Sequence, residues 1–433
     1  MSNEARMNTK KKVEWRNPWT WVPTLYFAEG IPYFIVMTVS VIMYKRMGIS
    51  NADIAWYTSW LYLPWIIKPL WSPIVDMFKT KRFWIVTMQL VLGIALACVA
   101  LTIPLPGFFQ FTLAVFWLMA FSSATHDIAA DGFYMLALSD HHQAAFVGVR
   151  STFYRVASLV GQGGLVVLAG SLEESTGSIP FAWSVTFFTL GGVFLCTFFY
   201  HQLILPSPQA DQKRSPGEGR SGLQEFFAVF MDFMRKPGIG LAIAYMLLYR
   251  FAEAQLVKLA SPFLLDAQEK GGLGLTTSEV GFVYGTVGVA ALTIGGLLGG
   301  WVVSRQGLKF WLWPMVVMIN VPDAVYIFLS ATQPTDLLIV NAAVAVEQFG
   351  YGFGFTAFLL YMILVSDGKY KTAHYALCTG FMAIGMMVPG LFSGFIQEYL
   401  GYQNFFIWIM ISTIPAFVVT SLIKIDPAFG RKT

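Results

Sequence analysis

The chain has 433 residues and a net charge of +4; it is 56% hydrophobic, 16% aromatic and only 12% charged, with a mean hydropathy of +0.61. Soluble domains carry about 25% charged residues, so the composition excludes a soluble enzyme. It points to an all-α polytopic protein whose solvent is the lipid bilayer, and the small positive balance gives no signal for nucleic acid. Cys98, Cys196 and Cys378 fall in three different apolar stretches without a C-x-x-C neighbour, so no disulfide, metal centre or cofactor is expected.

In chain order, residues 1–19 are polar and basic, with Lys10, Lys11, Lys12 and Arg16. No short apolar run with a cleavage site follows, so no signal peptide is expected. Apolar runs of about 20 residues, the length needed to cross about 30 Å of hydrocarbon, then recur. They read as spans at 20–44, 53–75, 83–104, 111–138, 145–170 and 181–204, and after a polar gap at 238–263, 278–303, 310–331, 336–366, 372–397 and 403–423. The gap begins Leu205-Pro-Ser-Pro and is rich in Pro, Gly and Ser, the composition of a flexible linker. Leu223–Arg235 follows as an amphipathic helix, with Phe226, Phe227, Phe230, Met231 and Met234 opposite Gln224, Glu225 and Asp232, expected along the membrane surface. The chain thus divides into a six-helix half at 1–204, a linker at 205–237 and a second six-helix half at 238–433.

Basic residues outside the spans concentrate at both termini and in the even-numbered loops. The odd-numbered loops hold only Lys45, Arg46 and Lys270. By the positive-inside rule both termini are expected in the cytoplasm, and the location is the cytoplasmic membrane.

The halves repeat. Leu25-Tyr-Phe-Ala-Glu29 in the first span returns as Leu248-Tyr-Arg-Phe-Ala-Glu253 in the seventh, with one residue inserted. Lys81-Arg-Phe-Trp84 returns as Leu308-Lys-Phe-Trp-Leu312, at offsets of 224 and 227 positions. A parallel repeat of six helices resembles the design of the major facilitator superfamily, twelve helices in 6+6 halves related by a pseudo-two-fold axis. The loop Trp71-Ser-Pro-Ile-Val-Asp76 with Lys79, Lys81 and Arg82 resembles that superfamily's acid-then-basic loop motif. The second half echoes it as Ser304-Arg305-Gln-Gly307-Leu-Lys309, with serine in place of the acid. Asp76, Lys79, Arg82 and Arg305 are therefore gating candidates. Anchoring by positive charge alone explains the basic residues equally.

Asp127 and Asp131 lie four residues apart at the centre of the fourth span, about 40° apart around a helix. Each costs about 2.5–3.5 kcal/mol at mid-bilayer on the translocon scale, so they must face a polar cavity or a buried cation. The other intramembrane charges are Glu29, Lys68, Arg150, Arg155, Arg250, Glu253, Lys258, Asp323 and Glu347. In the facilitator arrangement the first, fourth, seventh and tenth spans line the cavity. Of the acids, only Asp323 is off those spans, and it reads as structural. Asp131, Asp127, Glu29 and Glu253 are candidates for proton coupling. Arg155, Arg250 and Arg150 are candidates for an anionic substrate group, which guanidinium pairs bidentately. Arg250 and Glu253, three apart, also suit a self-contained pair, and Arg150 and Lys258 stand near enough to span ends to snorkel. Lys68 suits either Asp76 or a cavity acid.

Glycine clusters at Gly161–Gly164, Gly295–Gly300 and Gly350–Gly354 suit either rocking contacts or tight static packing. His126 and Asp131 form an H-x-x-x-x-D string, but on a helix they stand about 140° apart and cannot pair. With no G-x-S-x-G, H-E-x-x-H or Walker loop, no enzyme is indicated.

Several strings resemble the AmpG family of muropeptide permeases. They are Lys68-Pro-Leu-Trp-Ser-Pro-Ile-Val-Asp76, Ser122-Ser-Ala-Thr-His-Asp127-Ile-Ala-Ala-Asp131, Tyr154-Arg155, Leu248-Tyr-Arg250 with Glu253, Glu347 with Gly352-Phe-Gly354, and His374-Tyr-Ala-Leu377. The resemblance implies a proton-driven inner-membrane importer of N-acetylglucosaminyl-anhydro-N-acetylmuramyl peptides recovered in cell-wall turnover. Asp127, Asp131, Lys68, Arg155, Arg250 and Glu347 match charged motif positions, and His126, Tyr154 and Tyr249 join them as substrate-site candidates. The partners implied are an amphiphilic or anionic small molecule and protons, with a monomer as the expected state. The sequence departs from the pattern at Glu29, where a small residue is usual, at His126 and His374, which replace glutamine, and at Glu253, which replaces aspartate. Another anionic solute (a sugar acid, siderophore or acyl-CoA-like molecule) and a proton-linked exporter are the alternatives.

Overall fold

The computed structural model describes residues 17–209, 211, 222–368 and 370–430, with the side chains of 73, 74, 76, 77, 140, 144 and 222–226 outside the description. Among these residues the chain is helical throughout and crosses a bilayer thickness twelve times. Ten helical stretches, some bent or broken within, are long and apolar enough to span. One of them, Lys371–Leu422, is two spans folded back at Gly401, whose φ of 74° only glycine adopts without strain. The twelfth crossing is Asn51–Trp60 with Leu63–Phe78, broken at Leu61-Tyr62, where Pro64 begins the second piece.

Caps start many spans. Ser50, Thr80, Ser139 and Ser178 each accept a backbone N–H of the following first turn, which satisfies donors that a helix start leaves free. Three spans carry wide π-turns, at Ile35–Val39, Leu159–Gly164 and Gly281–Gly288. The last two pack on each other, joining the fifth span to the eighth across the halves. A Cβ on Gly285 would lie 2.0 Å from the Gln162 carbonyl, so only glycine allows this approach. The second and eleventh spans form the other seam, where Gly394 meets the backbone of Asn51. Gly295, Gly299, Gly350, Gly352 and Gly354 instead pack the eighth and ninth spans on the tenth, inside one half.

The hydrophobic core shows which way the molecule opens. On the side away from the termini one apolar cluster joins both halves, from Ile31, Tyr44 and Trp183 to Phe263, Tyr326 and Phe406. On the terminal side there are two separate clusters. One is built in the first half around Trp21, Tyr26 and Phe133, the other in the second half around Tyr245, Tyr249 and Phe358. The halves are fused at the far face and parted at the face of the termini.

The linker helix, Gly222–Met234, buries Val229 and Phe233, and Phe233 stacks on Phe381 while His374 reaches Asp232 at 3.4 Å. Phe227, Met231 and Met234 are exposed. The expected amphipathic helix therefore packs Val229, Phe233 and part of Phe230 inward, touching both the eleventh span and the second span of the first half, while Phe227, Met231 and Met234 of the expected stripe face outward.

Candidate substrate and coupling site

The fourth span is one helix from Phe108 to Ala137, so Asp127 and Asp131 share a face. Glu29 meets them there, and the carboxylate oxygens of the three lie within 4.8 Å of one another. Two cations complete the cluster. Lys68 pairs with Asp127, and Arg150 Nη2 pairs with Asp131 Oδ1 at 2.6 Å. Tyr26 donates its hydroxyl to Asp131 at 3.3 Å, and the Arg150 guanidinium lies 4.5 Å from the Tyr26 ring centre. Glu29 is buried, with Oε2 unpartnered. The paired side chains stay 23–35% exposed, a solvated site in mid-span on the open side. Arg150 does not snorkel, and Lys68 takes the cavity acid.

The second half has its own acid cluster. Glu253, Asp323 and Glu347 again bring their oxygens within 4.8 Å of one another, and all three are buried. Two helix breaks build it. The seventh span stops at Leu248 and resumes at Phe251, with Arg250 non-helical between (φ −111°, ψ 22°). The residue inserted relative to Leu25-Tyr-Phe-Ala-Glu29 falls on that break. In the ninth span Pro322 has no N–H to continue the helix, and a tight 3₁₀ turn at Val321–Ala324 turns Asp323 inward. Asp323, expected to be structural and apart, thus joins Glu253 and Glu347. Its signal was the X-Pro-Asp sequence, which marks a break but not its direction.

Arg250 does not pair with Glu253, neither of whose oxygens has a hydrogen-bond partner. It donates to the Tyr351 hydroxyl at 2.5 Å and stacks over Tyr351 and Phe355. Arg155 is partly buried beside Gly296 on the seam between halves, with Nη1 unpartnered and no ion pair among the described residues. Tyr154 packs edge-on to Phe34 beside the first-half cluster. Lys258 is buried at the seam, donating to Thr58 Oγ1 at 3.0 Å.

Other candidate residues lie elsewhere. His126 is 1% exposed and faces away from Asp127, bonding Gln89 at 3.0 Å; Gln89 in turn binds His201, and His201 binds Thr24. This chain packs the first, third, fourth and sixth spans together. Tyr249 is buried in the second half and donates to the Gly354 carbonyl. Lys79 lies over Phe83, Arg82 holds the carbonyls of Gln202 and Leu205 at the end of the sixth span, and Arg305 lies over Trp301. Those contacts are all local to one half; the Asp76 side chain is outside the described residues.

Besides Lys258–Thr58, the polar contacts that bridge the halves among the described residues cluster at the far face, and none was among the gating candidates. Lys45 pairs with Asp266 at 2.7 Å, and Tyr402 donates to the same carboxylate at 2.6 Å. Asn51 reaches Gln397 and Tyr402 at 2.7 and 2.8 Å. A second knot centres on Glu173, which accepts from Arg46, Trp183 and, across the halves, Thr277 at 2.7 Å. The structure is a helix bundle with charge in its middle, a closed far gate and an open near side. Such a body can carry a solute past a bilayer.

Comparison with known proteins agrees. The model of the Major Facilitator Superfamily matches residues 24–370. The anhydromuropeptide permease of Escherichia coli is 25% identical over 402 residues, 91% of this chain and 77% of that protein. A putative transporter, AmpG 4, of Rickettsia conorii is 24% identical over 91% of this chain and 94% of its own. Among solved structures, a bacterial homologue of the lysosomal transporter Spinster, in an inward-facing and unoccupied conformation, superposes with a TM-score of 0.66 at 16% identity, covering 94% of this chain and 96% of that one. The chain belongs to the Major Facilitator Superfamily and is a secondary transporter of the membrane.

Proposed function

We propose that this transporter is a proton symporter that imports anhydromuropeptides across the bacterial inner membrane, with both termini in the cytoplasm. The observation that carries the reading is the cluster of Glu29, Lys68, Asp127, Asp131 and Arg150, charged and partly solvated in mid-span. Charges at that depth are costly and mark transport paths. In this reading the segments 1–204 and 238–433 rock against each other, joined by 205–237, and the closed gate at Lys45–Asp266 faces outward.

Asp131 is the coupling group. While ionised it holds Arg150; protonation cancels that pull and releases the guanidinium to a carboxylate of the cargo. Arg155, free of any acid, offers a second cationic contact on the same side. Lys68 and Asp127 hold the second span to the fourth and keep the cluster in place. Similarity to the Escherichia coli permease over most of the chain supports the cargo assignment.

The test is uptake of labelled anhydromuropeptide into proteoliposomes, with and without an inward proton gradient, by wild type and Asp131→Asn. Gradient-driven uptake that falls at least about tenfold in the variant, the effect of losing about 1.4 kcal/mol of coupling, is expected. Uptake indifferent to the gradient removes proton coupling, and no uptake by folded protein removes the cargo, leaving another anionic solute.

A further inference from the structure

We propose that Glu253, Asp323 and Glu347 form a binding site for a hard metal cation, Na⁺ or Ca²⁺, distinct from the charged cluster of the first half. This goes beyond the proton-coupled reading and does not depend on the cargo.

Size is the first argument. One oxygen from each carboxylate lies within 4.8 Å of the others. A cation with bonds of about 2.3–2.6 Å holds opposed oxygens at most about 4.6–5.2 Å apart, so one ion can touch all three, and unlike Mg²⁺ it gives up its waters readily to an all-protein cage. Na⁺ has nearly the radius of Ca²⁺. The ligands offered are all oxygen, the donor set of hard cations.

Charge is the second. Among the described residues no Lys, Arg or His pairs with any of the three acids, although they are only 1–2% exposed. Glu347 accepts from Gln348 Nε2 through both oxygens and from the Tyr326 hydroxyl, an environment suited to an anion. Both oxygens of Glu253 and Oδ2 of Asp323 have no hydrogen-bond donor at all. Arg250, a turn from Glu253, donates through Nη2 to Tyr351 and lies over the Tyr351 and Phe355 rings, with its Nε making no bond to the acids. Buried carboxyl oxygens that converge without a donor are relieved by a bound cation or by protons, and at pH 8 an ion that binds there competes with the protons.

The backbone is the third. The seventh and ninth spans, which carry Glu253 and Asp323, are both interrupted beside the cluster. Interrupted helices at membrane depth occur where the backbone is buried in protein or lines a site, and in transporters they frame ion sites.

The test uses the full chain, purified in detergent, stripped with chelator and held at pH 8 with constant ionic strength in choline chloride. Thermal unfolding is followed as Na⁺, Ca²⁺ or K⁺ replaces choline, and bound ²²Na⁺ or ⁴⁵Ca²⁺ is counted. Saturable stabilisation by Na⁺ or by Ca²⁺, with about one ion per chain, is expected, since a ligand that binds only the folded state raises its melting point; the arm that responds names the ion. Asp323→Asn and Glu347→Gln, both near-isosteric, should abolish the response while eluting as monodisperse protein, and Asp131→Asn should keep it. The proposal is overturned if neither ion binds or stabilises the wild type. It is equally overturned if the response survives in both triad variants or is lost in Asp131→Asn, which would move the ion to the first half. Neither readout involves substrate, so failure here leaves the uptake experiment standing, and failure there leaves this one.

Discussion

The two halves carry an acid cluster at related positions and treat it in opposite ways. Glu29 and Glu253 lie 224 positions apart in the repeat, and Asp127 and Glu347 lie 220 apart on the fourth and tenth spans. In the first half Asp127 and Asp131 pair with Lys68 and Arg150 and stay partly solvated, with Glu29 buried beside them. In the second all three are buried, with no ion-pair partner among the described residues. The exchange extends to the neighbours. Arg250 is the residue inserted into the second-half string, after Tyr249, which matches Tyr26, and Asp131 and Tyr351 are equivalent by the 220 offset. Tyrosine meets aspartate in one half and arginine meets tyrosine in the other. Duplication supplied one scaffold, and the placing of a few cations made one copy an ion-paired, open site and the other a closed nest of oxygens.

The largest effect should come from removing a cation where the acids rely on it. Lys68→Met leaves Asp127 facing Glu29 and Asp131 with only Arg150 in compensation. Breaking a fully buried pair costs about 3–5 kcal/mol; with these side chains 23–28% exposed, a loss of about 2 kcal/mol in stability is expected. Uptake in proteoliposomes should fall by at least about a hundredfold, since 1.4 kcal/mol is tenfold and the cluster loses its geometry as well as its charge. Uptake within threefold of wild type would mean that the first-half cluster is not the transport site.

The next test concerns sign. Asp127→Asn and Asp323→Asn make the same change of atoms in equivalent kinds of cluster. In metal-free protein Asp127→Asn should lower the melting temperature, because Lys68 loses its partner. Asp323→Asn should raise it, by an amount worth about 1–3 kcal/mol, the cost of a buried polar group left unsatisfied. Thermal unfolding in chelator reads both. Two shifts of the same sign would erase the distinction between the halves.

Much of this was legible in the sequence, and the parts that were not share a cause. Span number, the 6+6 repeat and the charged fourth span follow from composition and short-range pattern, which a chain cannot hide. Asp323 was misplaced because its inward turn depends on the break at Pro322, and a sequence gives the break without its direction. His126 faces its own half because Gln89 and His201 wait there, two polar residues inside apolar spans that no spacing rule links. The far gate was invisible for the same reason: Asn51 meets Tyr402 across 351 positions. Its basic members, Lys45 and Arg46, stand out in the sequence only as exceptions to the positive-inside pattern. Basic residues at the near face drew attention by number, yet those described close contacts only within one half.

The smallest effect refines the comparison most. Tyr26→Phe and Tyr351→Phe each remove one hydroxyl and keep the ring that the neighbouring arginine covers, at 4.5 and 5.1 Å. Tyr351 is the hydrogen-bond acceptor of a guanidinium that has no carboxylate, so its loss should cost about 1.5–2 kcal/mol, within the range for bonds to a charged group. Tyr26 donates over 3.3 Å to a carboxylate already held by Arg150 at 2.6 Å, and its loss should cost under about 1 kcal/mol. Function should divide the other way. Tyr351→Phe lies away from the Asp131–Arg150 pair and should leave the KM for uptake within about twofold, less than 0.5 kcal/mol. Tyr26→Phe frees Asp131 of one donor beside the solvated cluster and should change KM by about three- to fivefold, 0.6–1 kcal/mol on the same scale. The variant that costs more stability would then cost less transport, which is what two clusters with different work predict and one shared site does not.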